Sequence, residues 1–319
     1  MESFQKLKKW LKIKDNIHMY DRPARGLYTS KDIKKDTEII KIKSANLIEY
    51  SNAYKKFPVD NVKEQNSIVA MILVKAHLEK DPHWKAYIDT FPQDIDNHII
   101  YYDSKKKGWL KNTSISCNGF YTFYDHIKSI EHDAKVLYKY IKKNNSFNGN
   151  FDLTYDEFHK LFIKYRIMVG SRIFGYMKNY DTESGMVPYV DLLNYSPDYN
   201  TTWYFDDNQD SFILKAIKDI RKNSELLDDY GNKSNVEFLL YYGFTIPNNP
   251  YSTLRVNYQK QALELTKTSI LTELEVNVKG LKEELRKIYE HHIKELPKVK
   301  DENIRNIYID EIDIIRVLK

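Results

Sequence analysis

Short runs of period-two hydrophobicity alternate along this chain with long runs at helical spacing, and the switch points divide it. Near the start, Phe4, Leu7, Trp10 and Leu11 share one helical face with Lys6, Lys8, Lys9 and Lys12 around it, which predicts an amphipathic helix. A basic helix of this kind can lie on a membrane or pack its apolar stripe on the next domain; packing is the expectation. Residues 26–48 read as short strands, GLYTS and IIKIK, joined by a turn at DIKKDTE. From about Phe57 to Arg166 the pattern is helical. Ser67 to Lys80 is apolar around much of its circumference, predicting a buried helix that Asp81-Pro82 ends. HWKAYIDTFP places Trp84, Tyr87, Ile88 and Phe91 at i, i+3, i+4 and i+7 before Pro92. FYDHIKSIEHDAKVLYKYIKK predicts another amphipathic helix and NNSFNGN a loop. FDLTYDEFHKLFIKYRIMVGSRIF follows as a helix, with Thr154 and Glu157 at the spacing of a capping box.

Asp181–Gly185 reads as a loop, after which strands return: TTWYF and SFILKA flank the polar DDNQD and predict a hairpin. The tail from Leu263 onward reads as charged and helical, broken at Pro297, and IYIDEIDIIRVL fits helix or strand. DIKKDTEII (Asp32 to Ile40) and DIRKNSELL (Asp219 to Leu227) match position by position. They suggest two similar strand–turn–strand units separated by the helical stretch. Asp36 and Asn223 fall where such a turn needs a left-handed residue.

A 42% hydrophobic and 30% charged composition suits a water-soluble globular chain, and no stretch approaches the ~18 apolar residues of a membrane span. The first twenty residues lack the apolar run of a secretory signal, and Glu2 and Asp15 precede the first arginine, Arg22, so no leader is expected. The expectation is a cytoplasmic protein without a membrane partner, a nuclear location being left open. One cysteine, Cys117, excludes an intramolecular disulfide and a cysteine-rich zinc site, and the histidines form no HExxH, so no metal is expected. The net charge of +5 is spread rather than concentrated, and no nucleic-acid partner is expected. The ten glycines include no GxG pair, which removes the dinucleotide fingerprint. Gly170 and Gly175 have P-loop spacing, but Tyr176 and Met177 stand where Lys and Ser/Thr are required. GxSxG and the kinase motifs are missing as well.

Four segments remain: RGLYTSKDI (Arg25 to Ile33), SRIF (Ser171 to Phe174), VPYVDLLNYSP (Val187 to Pro197) and DYGNKSNVEFLLYYGF (Asp229 to Phe244). In this order they resemble the split SET domain of the Rubisco large-subunit methyltransferase group, whose relatives include an actin histidine methyltransferase. The intervening HWKAYIDTFP and WLKNTSI resemble that group's helical insert. The resemblance implies an α+β fold: a SET domain of short β-sheets, a helical insert and a small C-terminal helical region. The implied segments are 1–49 and 166–258 for the SET core, 50–165 for the insert and 259–319 for a substrate-binding-like tail. It also implies S-adenosyl-L-methionine as cofactor and a lysine-containing, non-histone protein as substrate, with the enzyme a monomer.

By the same resemblance, Tyr230 is the catalytic tyrosine beside the transferred methyl. Arg25, Gly26, Leu27, Arg172, Asn194, Tyr195 and Phe244 join it at the cofactor, with Arg172 on the carboxylate and Phe244 on the adenine. Phe174, Asp191 and Tyr242 line the substrate side. Methyl transfer needs a lone pair aimed at the methyl carbon, so a target ammonium must first lose its proton. An aromatic channel disfavours the charged amine by desolvation while ring faces guide a cation inward, and Tyr230, Tyr241, Tyr242 and Phe244 supply rings. Three departures stand out. Tyr195 replaces the family's usual histidine, Asp36 and Asn223 replace the glycine of its turn, and the tail is shorter. Two other readings stay open: a histidine-directed enzyme of the same fold, and an inactive SET-derived binding module.

Overall fold

The computed structural model describes residues 2–20, 25–93, 95–144, 147 and 151–318. In chain order the first elements are α1 (Glu2–Leu11), β1 (Ile17–Tyr20), β2 (Gly26–Thr29), β3 (Glu38–Lys43), β4 (Ile48–Glu49), α2 (Tyr50–Lys56), α3 (Gln65–Leu78) and α4 (Pro82–Ile88). Next come α5 (Ser104–Leu110), α6 (Phe123–Asn144), α7 (Tyr155–Gly170), β5 (Ile173–Lys178), β6 (Asp181–Met186), β7 (Asn194–Tyr195), β8 (Thr201–Asp206), β9 (Ser211–Ala216) and β10 (Leu227–Asp228). The last are α8 (Asn235–Glu237), β11 (Leu254–Tyr258), β12 (Gln261–Leu265), α9 (Val278–Glu295) and α10 (Glu302–Val317). The fold is α+β, with short sheets among helices. Of the loop expected at NNSFNGN, only Asn144 and Phe147 fall within the described residues.

Two compact units partition the chain: Met1–Gln93 with Ile130–Tyr230, and Asp94–Ser129 with Gly231–Lys319. In the first, α3 is the central helix. Its residues Ser67 to Val74 are all buried, as an all-round apolar circumference requires. Asp81-Pro82 both ends α3 and starts α4, because Pro is tolerated at a helix's first position and the Asp81 carboxylate accepts the His83 N–H at 2.8 Å. The stripe of α1 packs: Phe4 and Leu7 are buried, Phe4 meets the Tyr189 ring at 5.0 Å and Trp10 stands edge-on to Trp84 at 5.5 Å. Thr154 and Glu157 form the capping box that opens α7.

Two expectations about this unit need correction. The helix through SRIF stops at Gly170, and Ile173 and Phe174 begin β5. Asp181–Gly185 is strand rather than loop: β6 pairs antiparallel with β5 from Ile173↔Met186 to Lys178↔Asp181. The polar DTESG hid the strand because pairing, not side-chain burial, holds its exposed end. Asn179 (φ 50°) and Tyr180 (φ 64°) make the two-residue turn, both left-handed as a type I′ hairpin demands. The sheets are β1-β2, β4-β6-β5, β3-β9-β8 and the parallel pair β7-β10.

The repeated DIKKDTE and DIRKNSE turns pair with each other reciprocally. Ile33 and Ile220 exchange N–H···O bonds, each 2.8 Å. Asp219 accepts from the Lys35 N–H at 2.8 Å, and Asp32 from the Lys222 N–H at 2.7 Å. Asp36 (φ 68°) and Asn223 (φ 66°) occupy the left-handed positions, which explains why an Asx residue can stand where a glycine is usual.

In the second unit, Ile99, Tyr102, Leu110, Val236, Leu239 and Tyr308 belong to one apolar cluster, while Leu254, Leu265, Leu281, Leu285 and Ile314 belong to another. The tail reading is corrected at its start: Leu263 and Leu265 lie in β12, which pairs with β11 around Gln259 (φ 51°) and Lys260 (φ 67°). IYIDEIDIIRVL is helical, in α10, with Ile307, Tyr308, Glu311 and Ile314 buried at 3–4 residue spacing.

Candidate active site

Arg25 and β2 form one wall of the site in the first unit. The Asn194 side-chain amide donates to the Arg25 carbonyl at 2.6 Å and to Glu225 Oε1 at 2.7 Å. Glu225 also accepts the Tyr28 hydroxyl at 3.2 Å, and the Leu226 N–H donates to the Leu27 carbonyl at 2.7 Å. Gly26 lies in the grip of these groups: a Cβ there would sit 2.0 Å from Glu225 Oε1 and 3.0 Å from Asn194 Nδ2. Only glycine leaves room for the approach. The Arg25 guanidinium donates to the Thr90 carbonyl, its Nε lying 3.4 Å from Met19 Sδ.

Arg172 follows directly on the last turn of α7. Its Nη1 donates to the Asp191 backbone carbonyl at 2.7 Å, and its guanidinium lies 5.7 Å from the centre of the Phe91 ring. Asp191 sits in a single helical turn, Val190–Leu192, entered through Tyr189 at φ 82°. Tyr87 donates its hydroxyl to Asp191 Oδ2, which is 3.9 Å from Arg172 Nη1. Burial pushes the Asp191 carboxyl up to about 6 despite the opposing pull of Arg172, the Tyr87 bond and Arg25. Two buried polar atoms here have no partner among the described residues: Arg172 Nε and Asp191 Oδ1. A buried guanidinium donor without an acceptor costs free energy, and an anionic ligand group would satisfy it.

Asn194 and Tyr195 form β7, parallel to β10 with Asn194 opposite Leu227 and Tyr195 opposite Asp228. Tyr230, just beyond β10, donates its hydroxyl to the Leu193 carbonyl at 2.6 Å, and its ring centre is 5.6 Å from that of Tyr195. Tyr195, standing where a histidine was expected, is thus the ring neighbour of Tyr230. Phe174 on β5 meets the edge of Trp203 at 5.2 Å and Phe212 at 5.4 Å. Burial raises the Asp228 carboxyl to about 7, against the opposing pull of the Asp229 backbone N–H.

Tyr242 and Phe244 belong to the second unit. Phe238–Tyr242 is a π turn closed by Gly243 (φ 79°), whose N–H donates to the Phe238 carbonyl at 3.0 Å. The rings of Tyr242 and Phe244 are 6.2 Å apart, and each packs on Phe238.

The first unit therefore joins Arg25, Gly26, Asn194 and Glu225 in one network, Arg172 to Asp191 in a second, and Tyr195 to Tyr230 in a third. Glu225, Asp228, Trp203 and Tyr87 were missed from sequence. Asp228 had a signal: it follows the repeated turn on the same beat as the buried Leu226, where an acid is out of place. Tyr87 and Trp203 had none beyond their apolar periodicity.

The SET domain profile matches residues 24–231. The chain belongs to the SET-domain family. Among curated proteins, the ribosomal lysine N-methyltransferase set10 of Schizosaccharomyces pombe is 27% identical over 175 residues, covering 54% of this chain and 29% of that protein. The actin-histidine N-methyltransferase of Homo sapiens is 23% identical over 201 residues, covering 60% of this chain and 31% of its own. The chain thus spans about a third of each of these relatives. Among solved structures, Rubisco LSMT bound to sinefungin and monomethyllysine superposes with a TM-score of 0.73 at 18% identity, over 100% of this chain and 90% of that one. Rubisco LSMT bound to AdoMet gives 0.68 at 17%, over 99% and 89%. The split SET fold of that group is therefore the fold of this chain.

Proposed function

We propose that the chain is an S-adenosyl-L-methionine-dependent methyltransferase acting on a lysine side chain of a non-histone protein, as a monomer in the cytoplasm. The observation that carries this reading is the half-buried Arg172, anchored through Nη1 on the Asp191 carbonyl with its buried Nε donor unpartnered among the described residues. That donor suits the carboxylate at the amino-acid end of the cofactor. When bound, the cofactor supplies an electrophilic methyl group on a sulfonium. Asn194 and the backbone from Arg25 to Leu27 would hold its methionine portion, and Tyr195 and Tyr230 would flank the methyl. Phe174 and Asp191 would line the path of the target side chain. A dry aromatic surrounding favours the neutral amine that can attack.

The match to actin-histidine enzymes supports a histidine-directed reading as well. Phe174 argues for lysine, because its ring offers no hydrogen bond to an imidazole where the histidine-directed relative has a polar side chain. The test is transfer of isotope-labelled methyl from S-adenosylmethionine into a lysate of the source organism, with the modified residue identified by mass spectrometry. A methyl-lysine supports the proposal, a methyl-histidine the second reading, and no labelled protein contradicts both.

A further inference from the structure

We propose that Asp15 is a positioning residue for the cofactor site: through the Tyr189 hydroxyl it holds the strained backbone from which Asp191–Tyr195 runs. This rests on the methyl-transfer reading above.

The networks of the site leave from one short stretch of chain. The Asp191 carbonyl takes the Arg172 guanidinium, the Leu193 carbonyl takes the Tyr230 hydroxyl, and the Asn194 amide holds the Arg25 carbonyl and Glu225. Tyr189 heads that stretch at φ 82° and ψ −53°, a region that a bulky side chain enters only under constraint. Such strain costs about 1–3 kcal/mol and persists where the surroundings over-determine it.

The constraint comes from α1 and the turn after it. Tyr189 is fully buried, its ring centre lies 5.0 Å from that of Phe4, and its hydroxyl donates to Asp15 Oδ2 at 2.6 Å. Burial, and after it the neighbouring carboxylate, push the pKa of that hydroxyl upward, so it stays a donor. Asp15 is itself fixed. Its other oxygen accepts the Lys8 ammonium and, at 2.9 Å, the Ile17 N–H, while Lys8 also donates to the Ile17 carbonyl at 3.1 Å. Ile17 opens β1, which pairs with β2 from Ile17↔Thr29 to Tyr20↔Gly26. One carboxylate thus joins the strand pair that carries Gly26 and Leu27 to the residue that heads the Asp191–Tyr195 stretch. Without the hydroxyl bond the backbone at Tyr189 is free to relax. Affinity then falls in proportion to the fraction of molecules that keep the binding geometry.

Calorimetric titration of the full chain with S-adenosylmethionine, beside urea unfolding, tests this. Tyr189→Phe keeps the ring on Phe4, removes only the hydroxyl, and should weaken cofactor binding about tenfold. Asp15→Ala should lose at least as much. Asp15→Asn keeps a hydrogen-bonding partner for the hydroxyl and should recover most of that loss. Tyr176→Phe is the control, because it removes another buried tyrosine–carboxylate bond of the same unit, from Tyr176 to Glu49 at 3.0 Å. It should lower the unfolding midpoint by a comparable amount and leave the cofactor affinity unchanged. If neither Asp15 variant folds, Tyr189→Phe against Tyr176→Phe decides alone. Equal affinity in Tyr189→Phe and wild type, or a matching loss in Tyr176→Phe, overturns the role of Asp15 only. So does an Asp15→Asn that binds no better than Asp15→Ala. A wild type without saturable binding of S-adenosylmethionine contradicts the methyl-transfer reading itself.

Discussion

A methyl group in place of a hydrogen at Gly26 would lie 2.0 Å from Glu225 Oε1, and that oxygen is already held by Asn194. Gly26→Ala should therefore cost about 1–3 kcal/mol and weaken cofactor binding, because Glu225 must move and release Asn194. In a Glu225→Ala background the same change should cost much less, a coupling that a double-mutant cycle in urea unfolding measures directly. Asp191 makes a second residue-level prediction. Its carboxyl is raised from 3.8 to about 6 by burial, so between these values the folded state holds a proton that the unfolded state has lost. Stability must then fall as pH rises from about 4 to 6, by up to roughly 3 kcal/mol from this group. The unfolding free energy of Asp191→Asn should lack that part of the slope. At this scale the sequence disclosed residue types at motif positions: Arg172, Asn194 and Tyr230 could be named in advance. What it hid was their company, since nothing local says that Glu225 reaches Asn194 or that Tyr87 reaches Asp191.

Turn chemistry explains the elements that pattern reading missed. The β5–β6 hairpin carries no Asn-Gly signal; Tyr180 takes the second left-handed position while fully exposed. Tyr180→Gly should thus stabilise the protein by about 1 kcal/mol, seen as a higher unfolding midpoint with unchanged activity. The helical ambiguity of IYIDEIDIIRVL dissolves for a different reason. One side of α10 is apolar, and another ties down the segments on both sides of the π turn. Asn303 accepts the Thr245 N–H at 2.9 Å, Asn306 donates to the Thr245 hydroxyl at 3.0 Å, and Asp310 accepts from Asn235 at 2.6 Å and from Ser252. Asp310→Ala would strand the buried Asn235 and Ser252 donors and should cost about 1–3 kcal/mol. Urea unfolding of the variant beside the wild type measures that loss.

Over the whole molecule, the split core was legible because its pieces recur in order: the repeated turns, SRIF, the segment through Asn194 and the one through Tyr230. The reciprocal pairing of the two turns closes what the long helical stretch separates, a long-range contact that no window of sequence contains. The compact units could not be read in advance either. Asp94–Ser129 looked continuous with the helical insert, yet it packs with the chain beyond Gly231 through Ile99, Tyr102, Leu110 and Val236. The most direct measurement of the central claim is calorimetric titration of the full chain with S-adenosylmethionine, beside Arg172→Ala. The account predicts saturable one-to-one binding by the wild type and a loss of at least about 1.5 kcal/mol, more than tenfold in affinity, in the variant. Absence of binding heat in the wild type across temperatures, or equal affinity in the two proteins, would contradict it.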